Sequence, residues 1–142
     1  MLYIASDHAG FATKCKIIIH LKKNKVEYVD LGTYSEESCD FPVYAKKLVA
    51  NVVEDDKNRG ILICGSGIGM SIAANRHPLI RAALCKDDKT AELARQHNNA
   101  NVLVIAGRTT STIMANRMVD KFLSTEHLGG KYARRMEMID KE

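Results

Sequence analysis

Residues 60–76 read GILICGSGIGMSIAANR. An apolar run ending in Cys64 is followed at once by three glycines spaced two apart, Gly65, Gly67 and Gly69. A short apolar run bounded by glycine reads as a buried strand, and the segment after it reads as a helix from about residue 68 to 75. A glycine-rich turn between strand and helix is the usual seat of a phosphate or nucleotide. A cysteine at its mouth is not part of that pattern.

The same alternation runs outward in both directions. Strand candidates are residues 2–6, 27–31, 60–64, 81–85 and 101–106, and helix candidates cover 10–24, 42–53, 68–75, 88–96, 110–123 and 131–140. In the first helix Phe11, Cys15, Ile18 and Ile19 stand at i, i+4, i+7 and i+8, which assigns them to one inward face. Pro42 suits a first helical turn, with Asp40 just upstream. Five strands separated by helices imply βαβ units. The expected fold is therefore α/β: one three-layer α/β/α domain over residues 1–142, with a five-stranded parallel Rossmann-like sheet and a C-terminal helix.

A chain of 142 residues can bury one core but not two ordinary ones. Its 46% hydrophobic and 27% charged residues fit a soluble globular protein. The net charge of +4 is mild, and with only 6% aromatics and no basic stripe, nucleic-acid binding is not expected. No apolar run is long enough to span a bilayer, and the N-terminus lacks a signal-peptide layout, so a cytoplasmic protein is expected. The four cysteines form no CxxC pair and are expected to be free thiols, and no Cys or His pairs stand at metal-ligand spacing.

In open parallel sheets ligands bind beyond the carboxyl ends of the strands. That rule gathers Asp7, His8, Cys64, Gly65, Ser66, Gly67, Gly107 and Arg108. His97 and Asn98, in RQHNNANV, fall between a helix and the last strand, at the other end of the sheet. A site containing both groups would draw on a second subunit.

The turn reads G-x-G-x-G, not G-x-G-x-x-G, and carries no Walker lysine, so it is a poor nucleotide cradle and a good oxyanion cradle. It also reads as a plain tight connection. Cys64 is either a small buried hydrophobe or a thiolate favoured by a helix N-terminus, fit to act as base or nucleophile. Asp7 either caps the first helix or meets a ligand. Cys15 and Cys85 read as core, while Cys39, in a polar loop, has no assignment. Neither do His20, His77 and His127. Arg108, Lys131, Arg134 and Arg135 are late cations; the last three read by default as a solvated basic face, yet guanidinium groups are natural clamps for a phosphate monoester.

Eight segments in order, SDHAGF at 6–11, DLGT at 30–33, DFPVYA at 40–45, residues 60–76, IRAALC at 80–85, RQHNNANVL at 95–103, GR at 107–108 and GGKYARR at 129–135, resemble the ribose-5-phosphate isomerase B family, which includes galactose-6-phosphate isomerase subunits. The resemblance implies interconversion of D-ribose 5-phosphate and D-ribulose 5-phosphate in the pentose phosphate pathway. It implies no metal or cofactor, and a homodimer or dimer of dimers with sites shared across the interface. Carried over, Cys64 is the base between C2 and C1. The backbone of Gly65, Gly67, Ile68 and Gly69, with Ser66, holds the enediolate. Asp7 binds sugar hydroxyls, His97 opens the ring, and Asn98 assists from the partner subunit. His8, Arg108, Lys131 and Arg135 surround the phosphate.

Three positions depart from the common pattern. Ser66 stands in place of threonine, Lys131 in place of arginine, and Tyr132 in place of histidine, with no role assigned to Tyr132. Having Cys64 places the chain with the cysteine-dependent members. The competing readings are a hexose-6-phosphate isomerase subunit and a non-catalytic phosphosugar-binding module. A thiol redox role lacks a resolving cysteine near Cys64.

Overall fold

The computed structural model describes residues 1–141. Its elements are β1 (Leu2–Ser6), α1 (Phe11–Lys23), β2 (Tyr28–Asp30), α2 (Phe41–Val52), β3 (Arg59–Cys64), α3 (Ile68–Asn75), β4 (Ala82–Leu84), α4 (Asp88–Asn98), β5 (Val102–Ala106), α5 (Thr112–Ser124) and α6 (Lys131–Asp140). The strands pair in parallel in the order β2-β1-β3-β5-β4. The parallel sheet with alternating helices and a C-terminal helix is as expected.

Apolar strands with helices on both faces bury two separate cores. One holds Ile4, Ile61, Ile63, Leu103 and Ile105 against Ile17 and Leu21 of α1 and Met118 and Phe122 of α5. The other holds Ala5, Leu62, Val102 and Val104 against Leu48 and Val49 of α2 and Met70 and Ala74 of α3. Successive strand residues point to opposite faces, so each strand feeds both cores.

The chain leaves β1 towards β2 and returns to the other side of β1 as β3. The direction of winding thus switches between β1 and β3, where open α/β sheets leave a crevice at the carboxyl ends. The backbone N–H of Asp7 donates to the Ile63 carbonyl at 3.2 Å there. Asp7 and Cys64 are brought side by side by that switch.

Several sequence expectations need correction. The inward face of α1 is Lys14, Ile17 and Leu21, while Phe11, Cys15 and Ile18 are only half-buried and Ile19 is 67% exposed. The apolar pattern was outweighed by a charge pair: Lys14 Nζ meets Asp30 Oδ1 at 2.6 Å and the Thr33 carbonyl at 2.5 Å. A lysine satisfied on that scale can be buried. Cys15 is therefore a flank of the core, whereas Cys85 lies within it. His97 and Asn98 belong to the last turn of α4, which runs past residue 96 until Asn99 ends it in the left-handed region at φ 45°.

Candidate active site

The sulfur of Cys64 sits at the end of β3, and the backbone N–H of Gly67 donates to it at 3.2 Å. Gly67 caps α3 with φ at 75°, a conformation that favours glycine, and the next N–H, of Ile68, donates to the Ser66 hydroxyl at 3.3 Å. Gly65 is needed for room. A Cβ there would lie 2.8 Å from the Arg108 guanidinium. The two loops are laced together, since Gly107 N–H donates to the Cys64 carbonyl at 2.8 Å and Arg108 N–H to the Gly65 carbonyl at 3.1 Å. Cys64, the turn and Arg108 form one cluster. Ser66, Ile68 and Arg108 face solvent, whereas Cys64 is buried behind them.

Asp7 and His8 complete this cluster on the β1 side. Asp7 Oδ1 accepts the Gly10 N–H at 3.0 Å and so organises the turn into α1, but the N-cap of that helix is Gly10 with no side-chain cap, so Asp7 is not the cap that the sequence allowed. His8 Nδ1 accepts the backbone N–H of Cys39 at 3.2 Å. A neutral imidazole that accepts at Nδ1 carries its proton on Nε2 and presents that N–H as a donor. Cys39 thus has a local function that the sequence did not reveal: its loop sets the orientation of His8. A cavity of about 420 Å³ opens on the far side of Ser66, lined also by Leu84, Cys85, Thr90, Ala106 and Thr109, and takes in neither Cys64 nor Asp7, His8 or Arg108.

His97, Asn98, Lys131 and Arg135 form a second cluster. The sheet is parallel, and α4 returns from the carboxyl end of β4 to the start of β5, so His97 lies at the opposite end of the sheet from Cys64. The segment leading into α6 is tied there, with Leu128 N–H donating to the Gln96 carbonyl at 3.0 Å and His127 Nδ1 2.9 Å from the same oxygen. This brings Lys131, Tyr132 and Arg135 beside His97. Tyr132, unassigned from the sequence, stacks on the His97 ring. No local pattern could have announced that contact. One chain therefore carries two clusters at opposite ends of its sheet.

A cavity of about 520 Å³ lies elsewhere and belongs to neither cluster. Lys57, Arg59, Arg81 and Arg95 line it, but so do Asp55, Asp56, Glu126 and Asp140. Arg95 donates to the Thr125 and Ala100 carbonyls and to Asn99 Oδ1. Burial, with Arg59 nearby, brings its guanidinium down to about 10, still charged at neutral pH. These arginines fasten loops together, and the balanced charges make a poor anion site. Among the described residues no group of three or more His, Cys, Asp or Glu side chains is placed to hold a metal ion. No helix among them is long and apolar enough to cross a membrane.

Residues 2–139 match the ribose/galactose isomerase family. Ribose-5-phosphate isomerase B of Escherichia coli is 42% identical over 133 residues, covering 94% of this chain and 89% of that protein. The crystal structure of a ribose 5-phosphate isomerase from Thermotoga maritima superposes with a TM-score of 0.95 at 52% identity, over 99% of this chain and 97% of that one. Ribose-5-phosphate isomerase B of Mycoplasma genitalium, solved with bound ribulose-5-phosphate, gives a TM-score of 0.94 at 41% identity, over 99% and 93% of the two chains.

Proposed function

The chain belongs to the ribose/galactose isomerase family, and on that premise we propose that it interconverts D-ribose 5-phosphate and D-ribulose 5-phosphate through an enediolate. The observation that carries this reading is the sulfur of Cys64 at the mouth of a glycine turn that bonds it through the Gly67 N–H and packs against Arg108. In the open-chain aldose the thiolate of Cys64 takes the proton from C2, and the electron pair moves onto the carbonyl oxygen at C1. The negative charge that develops is met by the N–H groups of Gly65 to Gly69, Ile68 included, and by the Ser66 hydroxyl. A single donor of this kind is worth about 3 kcal/mol. The O2 proton passes to O1, and as C2=O2 forms the thiol returns its proton to C1, leaving the ketose.

Asp7 holds sugar hydroxyls, and the Nε2–H of His8 joins Arg108 at the phosphate. His97 opens the furanose before enolisation, with Asn98 assisting, while Lys131 and Arg135 reach the same phosphate from a second copy of the chain. That copy follows from the separation of the two half-sites. An exposed apolar band, Ile68 and Ile72 on α3, Leu79, and Met138 and Ile139 on α6, supports a homodimer, or a dimer of dimers, closed over it. The edge strand β4 beside the band is shielded by Asn75, whose side chain bonds both the N–H and the carbonyl of Ala82. A soluble enzyme of free phosphosugars with four free thiols belongs in the cytoplasm.

The test is a direct assay with ribose 5-phosphate and with galactose and allose 6-phosphates. Turnover of the pentose phosphate in preference to both hexose phosphates is expected. A preference for either hexose phosphate would overturn the pentose assignment, and binding without turnover would reduce the protein to a phosphosugar-binding module.

A further inference from the structure

Tyr132 is where the second cluster converges. Its ring stacks on the His97 imidazole with centroids 4.4 Å apart and planes 9° from parallel. Lys131 Nζ lies 5.3 Å from the centre of the same ring, and the Arg135 guanidinium carbon 6.0 Å. Stacking is the contact that orients the imidazole, and the second side-chain torsion of a histidine is otherwise soft. The arrangement is built from the backbone up. Tyr132 N–H donates to the Gly129 carbonyl, and the segment just before it is pinned to Gln96, the neighbour of His97.

We propose that Tyr132 is a positioning residue whose ring fixes the plane of the His97 imidazole, and with it the direction in which the ring nitrogens meet the sugar. It acts through His97 and touches no reacting atom, so the inference rests on the assignment of ring opening to His97. A ring face is required. An aliphatic side chain of similar bulk fills the space but presents no flat surface to hold an imidazole parallel to it.

The two substrates that separate the effects differ in ring closure. Ribose 5-phosphate is mainly a furanose with a masked aldehyde. Erythrose 4-phosphate cannot close a furanose, because its O4 carries the phosphate, so it bypasses ring opening. The readout is kcat/KM on the first sugar divided by that on the second, a ratio that cancels any shared effect on the phosphate clamp. Tyr132→Phe should keep the wild-type ratio. Tyr132→Leu should lower it about ten- to a hundredfold, the scale of a misplaced catalytic group. Adding Tyr132→Leu to His97→Ala should lower it no further. In proton NMR, the upfield ring-current shift of the His97 ring protons should persist in the Phe variant and vanish in the Leu variant.

Tyr132 is half-buried in a first helical turn, so neither substitution should prevent folding, and circular dichroism checks this. A Leu variant with an unchanged ratio, or additive losses in the double variant, would overturn the proposal. An unshifted His97 ring in the wild type would do the same. If His97→Ala itself loses both sugars equally, the ring-opening assignment fails instead. That outcome is visible in the single variant, and the ring-current shift still decides whether Tyr132 orients His97.

Discussion

The backbone N–H of Gly67 donates to Cys64 Sγ at 3.2 Å, across the turn that carries the chain from the last residue of β3 to the first of α3. In the proposed mechanism, base and oxyanion cradle are therefore parts of one short loop. Removing a proton beside a carbonyl requires that the charge it leaves be met at once, and here the donors that face the sulfur continue into those that would face the enediolate. The cysteine in a glycine turn is explained by that economy of geometry.

Replacing Cys64 by alanine should leave the fold intact and abolish nearly all isomerisation, a loss on the scale of about 10²–10⁴ for a general base. Cys15→Ala and Cys85→Ala should lower stability and spare turnover, with the larger stability loss at Cys85, which lies in the core. Initial rates and thermal melts on the three variants check this. Wild-type turnover in Cys64→Ala would remove it as the base.

Cys85 makes a pH-dependent contribution of known sign. Burial pushes its thiol up to about 11 from the usual 9.0, partly opposed by a hydrogen bond with Thr90. The unfolded chain sheds this proton first as pH rises, so the stabilisation is complete below pH 9 and lost as pH climbs through 11. Urea midpoints measured between pH 8 and pH 10.5 should fall more steeply in wild type than in Cys85→Ala, where this titration is absent. Identical slopes would mean that the thiol is not held neutral by the fold.

What the sequence made legible follows from the range of the interactions involved. The bounds of β1, α3 and α6 were readable because glycines and strand-to-helix breaks mark them locally. The cluster at Cys64, Asp7 and Arg108 was readable because strand ends converge by topology. The face of α1 was not, because the lysine that turns inward is paired with Asp30 on another element and leaves no periodic trace. For the same reason neither the hold of Cys39 on His8 nor the Tyr132–His97 stack could be anticipated. His97 was expected in a loop, since helix ends are blurred when a polar run continues past the last apolar residue.

Lys131 offers a phosphate a cation without the planar guanidinium fork that grips two phosphate oxygens at once. Lys131→Arg should lower KM modestly or leave it unchanged. Lys131→Ala should raise KM with little effect on kcat, the pattern of a lost uniform binding contact. Steady-state kinetics on ribose 5-phosphate decide it, and an alanine variant with unaltered KM would place Lys131 outside the phosphate site.

The separation of the half-sites makes the strongest demand on the quaternary arrangement. If each active site takes Cys64 from one subunit and His97 from its partner, then Cys64→Ala and His97→Ala homodimers have no intact site. A hybrid of the two has one site with both substitutions and one with neither. Mixing the inactive variants under conditions that exchange subunits should therefore restore activity on ribose 5-phosphate. The expected yield is roughly a quarter of wild type, since random pairing makes about half the dimers hybrid and each has one good site of two. Covalently linked hybrid dimers should reach about half by the same count. Recovery in neither experiment, with hybrid formation verified by native mass spectrometry, would show that one chain supplies both residues to the same site. The two clusters at opposite ends of the sheet would then have to be joined by a large rearrangement of α4 and α6.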